Sequence, residues 1–525
     1  AMAVTSSIGP GATNMVTAAA LAHVNRLPVL LIPGDVFANR APDPVLQQVE
    51  DFEDGTVSAN DCFRPVSRYF DRISRPEHIL TALPRALRVM TDPATCGPVT
   101  LAFCQDVQAE AYDYPEAFFA PKVWRFRRPE PDAQDLAEAI ALLKAAKCPV
   151  IVAGGGVIYS QAEADLAAFA TAHNIPVVET QGGKSALPFD HALNFGPVGV
   201  TGASSANIVC EAADLVIGVG TRFQDFTTGS WSLFKNPNRR ILSINVQGYD
   251  AAKHGAVQLV ADAKVALQAL TTAIGTQTYQ ADAQLRHDWA AATAEVKALP
   301  ADSNALPTDA QVIGAVQRSA TAKTVIMGAA GTMPGELHKI WDAAQGGYHM
   351  EYGYSCMGYE IAGALGIKMA RPQADVICMV GDGSYMMANS ELHTAVMMGL
   401  PFTVVITDNR GYGCINRLQK GTGGAPFNNL LDDSYHVNPS HIDFVAHAAS
   451  MGARAVKAAT LGDLEAALAE AKTAKIPMVI VIDTDPAPST AAGGTWWDVA
   501  VPEVSVRREV QDARAKYEAA MAEQQ

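Results

Sequence analysis

Short runs of Val, Ile and other apolar residues alternate with alanine-rich stretches along almost the whole chain. The runs are Val29–Ile32, Val99–Phe103, Val150–Ala153, Val177–Glu179, Leu215–Val219, Ile241–Ile244, Val325–Met327, Val376–Val380, Thr403–Thr407 and Met478–Ile482. They are apolar throughout rather than alternating, which predicts strands buried on both faces and hence parallel sheets. Helical stretches between the strands predict repeated βαβ units, so the class is α/β. Ala1–Ser6 reads as a further strand, already in progress at the first residue. Gly9-Pro10-Gly11 then breaks the chain before a helix predicted from Ala12 to Asn25.

Two intervals interrupt the alternation. Tyr114–Asp132 carries Pro115, Pro121, Pro129 and Pro131 around the basic stretch Arg125–Arg128. Ala273–Pro307 lacks strand signals and holds a polar helical stretch ending at Pro300 and Pro307. The predicted segments are therefore 1–120, 133–272 and 308–485, with a tail over 486–525. The tail carries Trp496-Trp497, read as packing residues or a cover over a site with packing preferred, and a charged helix from about Val506. A length of 525 residues fits three or four domains.

Composition narrows the function classes. Hydrophobic residues make up 49% and charged residues 18%, a globular balance. The chain has 39 basic and 54 acidic residues, a net charge of −15. Such a chain is a poor partner for nucleic acid, whose binding needs phosphate neutralisation. No apolar run approaches the roughly 18 residues that cross a bilayer, so no membrane partner is expected. Cys62, Cys96, Cys104, Cys148, Cys210, Cys356, Cys378 and Cys414 are scattered without a C-x-x-C pair, and the several in apolar runs, Cys378 for example, read as small core residues in preference to metal ligands or nucleophiles. No secretory pattern opens the chain, and the expected location is cytoplasmic.

Chemistry concentrates in the third segment. Strand Val376–Val380 runs into Gly381-Asp382-Gly383-Ser384, with a helix predicted from about Ala388 to Met398. Strand Thr403–Thr407 ends in Asp408-Asn409-Arg410-Gly411, with 24 residues between Gly383 and Asp408. Both turns fall at carboxyl ends of neighbouring parallel strands, where ligands bind in open α/β sheets. The Asp382 carboxylate, the Asn409 amide oxygen and the Gly411 carbonyl make an all-oxygen set suited to Mg²⁺. So few protein ligands leave coordination positions for phosphate oxygens and water. The glycines allow close backbone approach, and a helix amino end favours phosphate charge.

The pairing of these turns resembles the diphosphate motif of the thiamine diphosphate (ThDP) enzymes: Gly-Asp-Gly, about two dozen residues, then Asn-Asn. Asp408 replaces the first Asn here, while Asn409 keeps the metal-ligand position. Ser6–Asn14 looks like the glycine-proline-glycine turn of the family's pyrimidine-binding (PYR) domain. Ser355–Tyr359 looks like the turn whose bulky apolar residue supports the thiazolium ring, and Met357 matches that residue. Gly331, Thr332 and Met333, after strand Val325–Met327, match the first diphosphate-contacting loop. The cofactor set implied is thus Gly331, Thr332, Met333, Met357, Gly381, Asp382, Gly383, Ser384, Asn409 and Gly411. The metal set is Asp382, Asn409 and Gly411. Segment 133–272, with Gly154-Gly155-Gly156 and Gly218-Val219-Gly220, resembles the family's central Rossmann-like domain. Those glycines do not form G-x-G-x-x-G before a helix and are read as structural turns. The expected architecture is three Rossmann-like parallel-sheet domains, the first incomplete.

Thr5–Asp35, Gln224–Trp231, Asp408–Gln419 and Trp496–Ser505 narrow the resemblance to the family's carbon–carbon hydrolases of inositol catabolism. That branch implies hydrolytic ring opening of a cyclic polyol 1,2-dione to 5-deoxy-glucuronate, with water as acyl acceptor. The family also implies a homodimer or homotetramer with the site at the chain interface. Its activating glutamate opens the helix before the strand leading to the Gly-Pro-Gly turn. That position falls upstream of residue 1, so the catalytic residue is left unassigned and the first two strand–helix units of the PYR domain are expected to be missing. Glu50, the first glutamate present, lies well beyond the turn. Two other readings stay open: an acetolactate synthase-like carboligase or decarboxylase of 2-keto acids, and a non-catalytic short form partnering a complete ThDP enzyme. His23, Asn416 and Gln105-Asp106 are weaker candidates for substrate contact, each with a local structural explanation.

Overall fold

The computed structural model describes residues 2–40, 45–299, 305–438, 441–490 and 493–524. Ala1, at the head of the first expected strand, and Pro300, at the end of the polar helical stretch, lie outside the described residues. The chain divides into two compact units, Ala1–Pro129 and Glu130–Gln525.

In the first unit, β1 (Met2–Ser6), β2 (Val29–Asp35), β3 (Tyr69–Ile73) and β4 (Val99–Cys104) form a parallel sheet in the order β1-β2-β4-β3. Leu31 and Phe63 pack with Ala12 and Ala19 in one buried cluster, and Ile73, Met90 and Leu101 in another. β1 is an edge strand and largely exposed. The single helix expected over Ala12–Asn25 is two, Pro10–Thr13 and Val16–Asn25. Pro10 starts the first early, because its fixed φ suits an opening turn and its missing N–H costs nothing there. Gly9 must be glycine: its φ is +65°, and a Cβ would lie 2.0 Å from the Gln47 carbonyl oxygen.

The second unit holds two sheets. One contains β5 (Pro149–Ala153), β6 (Val177–Glu179), β7 (Asn194–Pro197), β8 (Leu215–Val219), β9 (Arg240–Asn245) and β10 (Val257–Val260), in the order β10-β9-β8-β5-β6-β7. The other contains β11 (Thr324–Gly328), β12 (Tyr348–Met350), β13 (Asp375–Gly381), β14 (Thr403–Asp408), β15 (Arg454–Ala458) and β16 (Met478–Asp483), in the order β12-β11-β13-β14-β16-β15. Every pairing between these strands is parallel, so the described residues form an α/β fold with three parallel sheets, the first the smallest. Every interior strand coincides with an apolar run. The strands without one, β3, β7, β10, β12 and β15, are all sheet edges. An edge strand has a partner on one side only and needs no continuous apolar run, so the pattern does not mark it.

The glycine turns of the middle sheet pack on each other. A Cβ on Gly154 would lie 2.4 Å from the Gly220 oxygen, and one on Gly156 2.6 Å from the Gly220 Cα. Backbone fills this space, as expected for structural turns. The tail also packs: Trp497 Nε1 donates to Asp225 Oδ2 at 3.0 Å, its ring lies 5.1 Å from Phe226, and the final helix runs Arg508–Met521. Cys96, Cys104, Cys210 and Cys378 are buried, whereas Cys148 is exposed and is not a core residue. Among the described residues no helix is long and apolar enough to cross a membrane.

Candidate functional site

The third sheet brings the two polar turns together. β13 and β14 pair with Gly381 opposite Thr407, so Asp382 and Asp408-Asn409 leave the sheet side by side at its carboxyl edge. The helix expected from Ala388 begins at once instead, as Asp382–Met387, and a second follows over Glu391–Met398. Asp382 therefore sits in a first helical turn, where a carboxylate meets backbone N–H groups.

Asp382 is buried, 8% exposed. Burial pushes its carboxyl up to about 6 and the neighbouring Asp408 charge adds to this, against hydrogen bonds from the backbone N–H groups of Gly383 and Gly411. Asp382 Oδ1 and Asn409 Oδ1 are both buried with no hydrogen-bond partner among the described residues. Unpaired buried oxygens cost about 1–3 kcal/mol each, and a bound cation would satisfy both. The donor set thus fits a hard divalent ion. Among the described residues no group of three His, Cys, Asp or Glu side chains is placed to hold one.

Asp408 has a local task, its Oδ1 accepting from the Arg410 N–H at 3.1 Å. Arg410 and Gly411 have φ of +61° and +145°. Gly411 pairs with Leu430 in an antiparallel bridge, and a Cβ there would lie 2.4 Å from the Asn429 oxygen. Beside Gly331 (φ +88°) and Gly381 a Cβ would meet nothing within 4 Å, so both turns border open space. Gly383 instead lies under the Tyr412 ring, 2.7 Å from where its Cβ would be.

Gly331 precedes the helix Thr332–Ile340. Met333 is buried in the core beside Leu337, which leaves only its backbone for a ligand. Arg417 donates to Thr332 Oγ1 and, at 2.6 Å, to the Pro486 carbonyl, fixing the start of that helix. Met357 is half-buried in a turn that ends at Gly358, whose φ is +90°. The Ser384 hydroxyl donates to Glu360 Oε1 at 2.7 Å, so that donor is engaged inside the protein. Glu360 lies in none of the quoted motifs, and Arg417, although inside Asp408–Gln419, was given no role by the sequence reading. The signal was a Glu and an Arg directly after the Met357 turn and Asn416, recognisable only once both prove buried or bonded to site loops.

The weaker candidates separate. Asn416 lies inside the helix Gly413–Gly421 rather than capping it, buried, with Oδ1 lacking a partner among the described residues. In the first unit, Asp106 accepts from the N–H groups of Ala38, Asn39 and Val107 and so ends its strand. Gln105 lines a cavity of about 930 Å³ with Ser7, Gly34, Asp35, Arg40 and Tyr114. His23 is half-buried on the helix Val16–Asn25, and burial with the Arg68 charge lowers its pKa.

Comparison with known proteins agrees with this geometry. The central domain of thiamine pyrophosphate (ThDP) enzymes matches residues 136–270, and their C-terminal TPP binding domain matches 329–482. The chain is 43% identical to a 3D-(3,5/4)-trihydroxycyclohexane-1,2-dione hydrolase of Geobacillus thermodenitrificans, over 98% of this chain and 85% of that protein. A protein of the same description from Bacillus cereus (strain AH820) is 44% identical over the same shares. One from Bacillus thuringiensis (strain Al Hakam) is 43% identical, again over 98% and 85%. Domain matches, near full-length identity and the paired turns of β13 and β14 together mean that the chain belongs to the thiamine pyrophosphate enzyme family, alongside these hydrolases.

Proposed function

We propose that this chain is a ThDP- and Mg²⁺-dependent hydrolase that opens the ring of 3D-(3,5/4)-trihydroxycyclohexane-1,2-dione, giving 5-deoxy-glucuronate. The observation carrying the cofactor reading is the pair of buried oxygens, Asp382 Oδ1 and Asn409 Oδ1, that have no hydrogen-bond partner among the described residues, at the mouth of the third sheet. The substrate reading rests on the relatives' shared description. When bound, ThDP supplies a nucleophilic carbon and an electron sink for breaking a carbon–carbon bond beside a carbonyl. Asp382, Asn409 and the Gly411 carbonyl would hold Mg²⁺. Gly381, Gly383 and Ser384, with Gly331, Thr332 and the Met333 backbone at the amino end of the helix Thr332–Ile340, would line the diphosphate. Met357 would support the ring system from its half-buried turn. Water is the second reactant, and the cleaved carbonyl carbon leaves as a carboxylate.

The same reading divides the chain into a PYR segment (1–120), a central domain (133–272), a diphosphate domain (308–485) and a tail (486–525). It places the enzyme in the cytoplasm as a homodimer or homotetramer with sites at chain interfaces. The test is product analysis of the purified chain with the cyclic dione, ThDP and Mg²⁺. Ring-opened carboxylate that depends on both additives is the expected result. Acetolactate or acetaldehyde from pyruvate at a good rate, with no ring-opened product, would refute the hydrolase reading.

A further inference from the structure

Glu360 is nearly sealed from water, 2% exposed, at the start of the helix Tyr359–Ala370. Burying a carboxylate is costly unless donors surround it, and burial raises its pKa here. The donors come from separate loops. The Ser384 hydroxyl reaches Oε1 at 2.7 Å, the Gly358 N–H reaches Oε2 at 2.9 Å, and the Ala330 backbone also bonds the carboxylate. The Gly358 N–H lies 2.9 Å from Ser384 Oγ as well, closing a triangle between two of these loops. Each loop borders the candidate cofactor site: Ala330 precedes Gly331, Gly358 follows Met357, and Ser384 follows Gly381–Gly383.

A second buried glutamate braces the other side of the Met357 turn. Glu351, 3% exposed, accepts from the N–H groups of Tyr354 at 2.9 Å and Cys356 at 2.8 Å. A side chain would not fit at Gly358, whose φ is +90° and where an added Cβ would lie 2.9 Å from the Ala388 Cβ. Met357 is therefore held between two carboxylates whose donors are protein groups.

We propose that Glu360 is a positioning residue for the cofactor, its carboxylate tying the Ala330 loop, the Met357 turn and the Gly381–Ser384 turn into one preset cradle. The proposal rests on the ThDP reading of the site. Three loops fixed in advance spare the ligand the entropy of ordering them, so the effect appears in affinity. Glu360→Gln keeps the shape but replaces one acceptor oxygen by an amide donor, so it cannot accept from both Ser384 and Gly358.

The test is calorimetric titration of ThDP with excess Mg²⁺ into the wild-type chain, Glu360→Gln, Ser384→Ala and the double variant, alongside apo melting curves. Glu360→Gln is expected to melt close to wild type and to bind ThDP about tenfold more weakly. The double variant should lose less than the product of the two single effects, because both cut one hydrogen bond. Should Glu360→Gln fail to fold, Glu360→Asp keeps the charge but draws the carboxylate back from its donors on the three loops, and unchanged ThDP affinity in it would overturn the proposal. Wild-type affinity in a folded Glu360→Gln, or a lower melting point with unchanged affinity, overturns the positioning role alone. Absence of saturable binding by the wild-type chain overturns the ThDP reading and this proposal with it.

Discussion

Asp309→Asn should stabilise the protein at alkaline pH and do much less in acid. Asp309 opens the helix Asp309–Ser319 and is 4% exposed, and Glu336, on the helix Thr332–Ile340, is 3% exposed. Burial pushes the Asp309 carboxyl from its ordinary 3.8 up to about 7, with the Glu336 charge adding to the rise and Arg417 opposing it. The folded chain thus holds this proton until about pH 7, whereas the unfolded chain releases it near 3.8. Stability is lost as pH rises between those values, and the whole cost is present above them. At about 1.4 kcal/mol per pH unit the cost at pH 8 is about 4 kcal/mol. Asparagine carries no charge to bury and so escapes this cost. For a unit of roughly 400 residues that gain corresponds to a melting point higher by about 5 °C at pH 8. At pH 5 the gain shrinks to about 2 °C. Scanning calorimetry of the metal-free protein at both pH values reads the difference. Equal shifts at the two pH values, or a loss at pH 8, would refute the reasoning.

Other outcomes bear on the site itself. Asp382→Ala removes the only charged ligand of the proposed metal set, so calorimetry should find no Mg²⁺-dependent ThDP binding; undiminished affinity would mean the metal site is misplaced. Gly411→Ala forces a side chain onto a φ of +145° and to within 2.4 Å of the Asn429 oxygen. The turn must then move, and Mg²⁺-supported ThDP affinity should fall about tenfold or more. Prolonged dialysis against EDTA should abolish ring opening, and Mg²⁺ should restore it. Full activity after metal removal would exclude a cation at Asp382 and Asn409.

Much of the fold was legible because burial on both faces of a parallel sheet leaves an unbroken apolar run. β8 (Leu215–Val219) and β6 (Val177–Glu179) were bounded to the residue, and the remaining interior strands overran their runs by a residue or more. The turns at Asp382 and Asn409 were readable because their chemistry demands fixed residue types next to strand ends. The helix at Asp382 was placed too late because Gly381-Asp382-Gly383 reads as a turn, yet packing against β13 and β14 lets helical geometry begin inside it. Asn416 was open to a capping role because Asn favours helix ends, whereas the structure buries it mid-helix.

The linear sequence by itself determined the class, the order of strands and helices, the pairing of the two polar turns and the family. Each depends on local residue type and spacing, which the chain carries wherever it folds. Only the tertiary structure decided which strands close the sheet edges, that the Trp496-Trp497 tail packs on the Asp225–Phe226 segment, and that Glu360 binds three loops at once. It alone set the Asp309 and Glu336 carboxyls near enough for their charges to interact, and left Asp382 Oδ1 and Asn409 Oδ1 without hydrogen-bond partners among the described residues. These facts arise from contacts between segments distant along the chain, and burial sets their energies, so no local pattern encodes them.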